Sequence, residues 1–275
     1  MSERLYKLPM LLLKLSKKAI FSLSMKVILL SLTLLSLTSL SAKKYSYGVD
    51  EATTSTVTKE SFHQHFFGVL ALYQEAFLKS GETVVPMPEW DNPYLTAYTA
   101  RVEGIIKLGF WGGMARIPGM NDDAVALITC HEVGHILGGY PYLTLAHEMY
   151  HGISSEGQAD YFATRECLKK YFRIEEETPT YLDREFPKTW RELCQKGPSS
   201  SLEEAICLRS LNAIDGFKSV VLLLKEDQGS FTMGFSSLPG ASETLFNSYP
   251  KNQCRMQTLL AGLFDQERPA CWFVN

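Results

Sequence analysis

Residues 121–139 hold the tightest constraint in the chain. Asn121-Asp122-Asp123 precedes a run from Ala124 to Leu137 that Gly138-Gly139 closes. This predicts a helix with an N-cap, first-turn acids and a glycine stop. Its flanks (Ala126, Leu127, Ile128, Ile136, Leu137) are apolar, so the helix is expected to be buried. Its middle, however, reads Cys130-His131-Glu132-Val133-Gly134-His135. Two imidazoles and a carboxylate are costly to bury unless each has a partner. Residues four apart share a helix face, about 6 Å along the axis, so His131 and His135 can grip one cation. Glu132, turned by about 100° in projection, flanks that cation's open side and can take a proton from water. Two histidines, a third protein ligand and one water position are the parts of zinc-assisted hydrolysis.

The third ligand decides the subclass. The metzincin spacing requires a histidine ten residues after His131, and that position is Pro141. Glu156 lies 21 residues after His135, at the start of a new helix that can return beside the first. Glu156 and Asp160 share one face of it. Glu156 is therefore expected to ligate the metal, and Asp160 to accept the outer N–H of a liganding histidine. A second match, His147-Glu148-Met149-Tyr150-His151, runs directly into Gly152 and lacks an apolar helical frame, so it reads as a connecting or cleft-lining segment. His63 and His65 are two apart and face different directions on a helix, which fits packing rather than ligation.

His-Glu-x-x-His paired with Glu156-x-x-x-Asp160 resembles the gluzincin zinc metallopeptidases, in particular their M48-like branch. That branch also carries a His-Pro followed, six residues after the histidine, by an arginine. Here Tyr249-Pro250 precedes Arg255 at the same interval, with tyrosine in place of histidine. The resemblance spans roughly residues 94–255. It implies a mostly helical, zincin-like α+β domain with a small antiparallel sheet beside the active-site helix, one zinc ion and a protein or peptide substrate. It also suggests Tyr249 as a hydrogen-bond donor to the oxyanion. The membrane-spanning helices of many members have no counterpart here.

The N-terminus has a different character. Residues 1–26 carry six basic residues against Glu3, then Val27 to Leu40 is an apolar run ending at Leu40-Ser41-Ala42. This predicts a signal peptide over 1–42, with Met1 or Met25 as the start. Its apolar run of about 14 residues is short for a membrane span, and an uncleaved anchor is the alternative. Without it, 21 basic residues face 29 acidic ones, a net charge of −8, which argues against nucleic-acid binding or a polybasic membrane surface. A periplasmic or secreted protein with no stable membrane span is expected. All six cysteines lie beyond residue 42. Export favours disulfides, and local closure favours Cys194–Cys207 and Cys254–Cys271, leaving Cys130–Cys167.

Elsewhere, 43–58 reads as a flexible lead-in and 59–275 as one catalytic domain. Lys59 to Lys79 has helical spacing, and proline-rich 84–93 reads as a loop. Tyr94 to Ile117 reads as strands and turns, with Ala115-Arg116-Ile117 a last strand whose edge could take a substrate peptide. Helices are expected over 181–196 and 202–226, the second opened by a Ser201/Glu204 capping box, and over 256–264, with a loop at 229–248. The pattern also fits two coarser readings, a disulfide-stapled non-catalytic binding protein and a zinc hydrolase acting on a non-peptide amide.

Overall fold

The structure, a computed structural model, describes residues 45–145, 147, 150–196, 200–224, 233–235 and 237–274. The expected signal peptide lies outside the described residues. The fold is α+β. In chain order its elements are α1 (Lys59–Ala71), α2 (Gln74–Ser80), β1 (Thr83–Glu89), β2 (Ala97–Val102), β3 (Ile105–Trp111) and a one-turn α3 (Gly112–Ala115). There follow α4 (Asp122–Leu137), α5 (Glu156–Phe162), α6 (Leu168–Ile174), α7 (Lys188–Cys194), α8 (Ser201–Leu224) and α9 (Asn252–Leu263). A π-helical turn, Ala163–Cys167, joins α5 to α6 without a break in right-handed helical backbone. The expected helix at 59–79 divides at Leu72-Tyr73.

The sheet is mixed, not antiparallel. Its order is β1-β3-β2, with β1 parallel and β2 antiparallel to β3. The segment expected as a proline-rich loop supplies β1. Pro86 and Pro88 are two apart, so both missing N–H groups belong to the same side of the strand, and an edge strand tolerates that. The β2–β3 hairpin turns at Glu103-Gly104, both with positive φ, as a tight two-residue turn requires.

Ala115-Arg116-Ile117 is not a strand. The extended backbone ends at Trp111, and Ala115 closes α3. All three residues are buried, and the Arg116 guanidinium donates to the carbonyls of Tyr47 (3.0 Å), Trp90 (2.8 Å) and Asn92 (3.2 Å). A guanidinium has enough donors to gather several loop carbonyls at once, and that use left no edge for a peptide. The polar segment 45–58 packs on the same region. Tyr47 and Val57 are buried, Ser55 Oγ donates to the Ala115 carbonyl at 2.7 Å, and Thr58 caps α1 in a capping box with Ser61.

The main core lies between α4 and the helices around it, with α1, α8 and the α5–α6 rod contributing Phe62, Phe66, Ile214, Leu168 and Phe172. A smaller cluster of Tyr161, Cys254, Ala261, Trp272 and Phe273 anchors the C-terminal segment. The expected 181–196 helix is a 3-10 turn at Thr178–Leu182 followed by α7. Pro187 separates the two, having no N–H to continue a helix. The cap of α8 is Ser200, one residue before the expected Ser201; its Oγ accepts from Glu203 N at 3.3 Å. The disulfides are Cys130–Cys167, Cys194–Cys207 and Cys254–Cys271, as anticipated. No helix among the described residues is long and apolar enough to cross a membrane.

Two buried polar groups test this packing. Asp123, read from sequence as a first-turn acid, is buried and accepts from Arg209 Nε (2.8 Å), Tyr181 Oη (2.7 Å) and Asn212 Nδ2 (2.8 Å). Removing one partner of a buried pair strands the other charge, so Arg209→Leu is expected to lose about 3–5 kcal/mol in denaturant unfolding. Lys79→Ala, at an exposed ion pair with Glu75, should leave the midpoint in place. His65 is buried, with Nδ1 2.8 Å from the Tyr171 hydroxyl. Burial lowers its pKa, against the opposing pull of Asp123 and Asp122. The unfolded chain protonates this residue near pH 6.5 and the folded chain resists it, so stability falls as pH drops below about 6.5. The melting temperature should decline between pH 6.5 and 5.5, and His65→Gln should flatten that decline.

Candidate metal centre

The site forms where α4 meets α5. Gly134 allows the approach: a Cβ there would stand 2.9 Å from the Ala159 carbonyl oxygen and 3.0 Å from its Cα. One residue before the motif, Cys130 is bonded to Cys167 of the π-helical turn, a disulfide tie between α4 and the rod that continues α5. Closing a helix with a π turn re-aims the side chains around it, and such turns are frequent at functional sites.

The ligand atoms are prepared from behind. His135 Nδ1 lies 2.7 Å from the Ser154 carbonyl. A carbonyl only accepts, so Nδ1 carries the proton and Nε2 is left with its lone pair. His131 Nδ1 lies 2.8 Å from Asp160 Oδ1, a close contact of opposite charges whose angle falls short of a hydrogen bond. Asp160 is fixed in turn by Arg255 of α9, whose Nε and Nη2 donate to its two oxygens at 2.7 and 2.8 Å. That fork is deeply buried, and α9 comes close enough to deliver it because Gly262 has no side chain. A Cβ at that position would meet Thr164 Oγ1 at 2.3 Å. With Asp160 held as an ionised acceptor behind it, His131 turns Nε2 towards the front of the site, where a metal would displace the proton that nitrogen carries in its absence.

What faces these nitrogens is another acceptor. His131 Nε2 is 3.2 Å from Glu156 Oε2 and His135 Nε2 is 3.8 Å from Glu156 Oε1. Glu156 Oε2 is buried without a hydrogen bond. Lone pairs aimed at one another in a buried volume repel unless a proton or a metal cation lies among them. His131, His135 and Glu156 are the group among the described residues that could hold a metal, with one ligand atom from each within 4.8 Å of the others. A tetrahedral ion with bonds of about 2.0–2.1 Å holds its ligands roughly 3.3 Å apart, which the 3.2 Å His131–Glu156 separation matches and the 3.8 Å His135–Glu156 separation exceeds. The residues present fit a metal.

Electrostatics agree. Burial would lower the His131 pKa, but Asp160 and Glu156 raise it to about 10. Burial disfavours ionised Glu156, yet His135, His131 and Arg255 bring its pKa down to about 2. Asp160 is likewise driven well below the usual carboxylate range, Arg255 and His131 overcoming burial. The field that holds a proton on His131 favours a divalent cation, which displaces it.

Glu132 lies beside the ligands, buried, and accepts a 2.9 Å hydrogen bond from Thr99 Oγ1 of β2 at Oε2. Burial raises its pKa above that of an ordinary glutamate. Tyr249 is 43% exposed, while its ring stacks on the Arg255 guanidinium, 5.0 Å from Cζ to centroid. Burial of the tyrosine hydroxyl, with Glu156 and Glu132 nearby, raises its pKa and keeps it a donor. The structure therefore brings together His131, Glu132, His135, Glu156, Asp160 and Tyr249, and leaves Ala115–Ile117 out. Of the second His-Glu-x-x-His, Glu148 and Met149 lie outside the described residues; His147 and His151 are exposed and join no metal-ligating group among the described residues. Thr99 and Ser154 carried no sequence signal, whereas Arg255 had one in its spacing from Tyr249.

No protein-family model, curated protein or solved structure matches this chain.

Purified protein is expected to bind one zinc ion per chain by elemental analysis, and Glu156→Ala to lose it. Asp160→Asn and Arg255→Met should lose stability, as expected for Arg209→Leu, and, compared as folded protein, should bind zinc about 10–100-fold more weakly in competition with a chelating dye. Full zinc affinity in all three variants would reject the site.

Proposed function

We propose that this chain is an exported zinc metalloendopeptidase of gluzincin type, similar to the M48-like branch, with Glu132 as general base. The observation that carries the reading is the convergence of three lone-pair atoms, from His131, His135 and Glu156, beside a buried glutamate. Two imidazoles and one carboxylate suit zinc better than the hard cations, which prefer all-oxygen shells. A zinc ion held there would supply a Lewis acid for a carbonyl oxygen and an acidified water.

The chain's own residues do the rest. Glu132, held by Thr99, accepts the proton of the attacking water and passes it to the departing amine. The Tyr249 hydroxyl donates to the oxygen on which negative charge develops. Asp160, Arg255 and the Ser154 carbonyl keep both imidazoles in the tautomer and orientation that present Nε2. For the substrate backbone, β2 takes the place first given to Ala115–Ile117. It is an edge strand of the sheet, and its Thr99 touches the motif helix. An extended peptide added along that edge gains main-chain hydrogen bonds at the level of Glu132. Export is supported by the three disulfides, which persist in oxidising compartments.

Glu132→Gln is expected to keep its zinc and lose about 10²–10⁴-fold in cleavage of an internally quenched peptide library. Chelation should abolish wild-type cleavage and added zinc restore it. Near-wild-type turnover by the Gln variant would reject the mechanism.

A further inference from the structure

We propose that Thr99 is a positioning residue for Glu132, holding its carboxylate in the orientation from which it acts. The proposal rests on the peptidase reading above. The Thr99 hydroxyl has two acceptors of the same residue within reach: Glu132 Oε2 at 2.9 Å and the Glu132 main-chain oxygen at 3.0 Å. It has one proton to give. Donation to Oε2 fixes one carboxylate oxygen, and the main-chain oxygen beside it ties the same hydroxyl to the backbone of the motif helix, so the Glu132 side chain is held in one orientation with its other oxygen directed away from Thr99.

The framework around Thr99 is rigid enough for this. The residue is 9% exposed, in the middle of β2, paired with Leu108 of β3. Two residues along the strand, Arg101 donates to the His151 carbonyl and is paired with Glu82 at 2.6 Å. The strand is thus tied both to the motif helix and to the loop leading into Glu156. An unanchored glutamate samples several rotamers, and a misplacement of about 1 Å in a catalytic group costs on the order of 10²-fold in rate.

The test compares Thr99→Val, Thr99→Ser and Glu132→Gln in the full chain, with zinc content and the kinetics of an internally quenched peptide that the wild type cleaves. Thr99→Val is expected to retain one zinc and an unchanged KM while kcat falls about 10–100-fold. Thr99→Ser, which restores the hydroxyl, should recover most of kcat. Wild-type kcat in Thr99→Val, loss of zinc from it, or failure of Thr99→Ser to recover activity would each overturn the proposal while Glu132→Gln remains inactive. A wild-type chain that cleaves no peptide of the library, or an active Glu132→Gln, would overturn the peptidase reading and this proposal with it.

Discussion

The Arg255–Asp160–His131 chain is the interaction on which the site depends. Three carboxylates, Glu132, Glu156 and Asp160, come together where water is largely excluded, and one guanidinium answers them. Buried charge of one sign is tolerated only when it is paired or coordinates a metal. Arg255 settles Asp160, and Asp160 in turn commits the outer nitrogen of His131. The remaining negative charge lies at the front, among His131 Nε2, His135 Nε2 and Glu156, which is where a cation has most to gain.

Backbone proximity makes that chain possible. Gly134 and Gly262 each remove a side chain where two helices touch, so α4 meets α5 and α9 meets the π-helical turn at backbone distance. Cys130–Cys167 ties the first of these contacts and Cys254–Cys271 ties the end of the chain to the start of α9. The same residues that pack the helices thus set the register of the ligands.

Local rules carried the reading of α4 and α5 because their information is local. Asn121 caps α4 through a 2.9 Å bond from Ala124 N, and the i, i+4 histidines need only a helix to converge. The errors fell where a distant partner decides. Pro86 and Pro88 look like loop residues until β3 offers them a one-sided pairing. Arg116 looks like a strand residue until three carbonyls from other segments surround it. Asp123 looks like a helix-dipole acid until Arg209, 86 residues on, reaches it. Thr99 gave no signal, since a threonine in a strand is ordinary and its partner is 33 residues away.

The sequence by itself determined which side chains can act together: helical periodicity placed two histidines on one face and Glu156 and Asp160 on another. It favoured the disulfide pairs through short closures, and the fold decided Cys130–Cys167 by setting α4 beside the π-helical turn. Only the tertiary structure decided which way those groups point. Tautomer, orientation and charge state depend on acceptors supplied from elsewhere, the Ser154 carbonyl, Asp160 with Arg255, and Thr99. Such contacts are made across space and leave no periodicity along the chain.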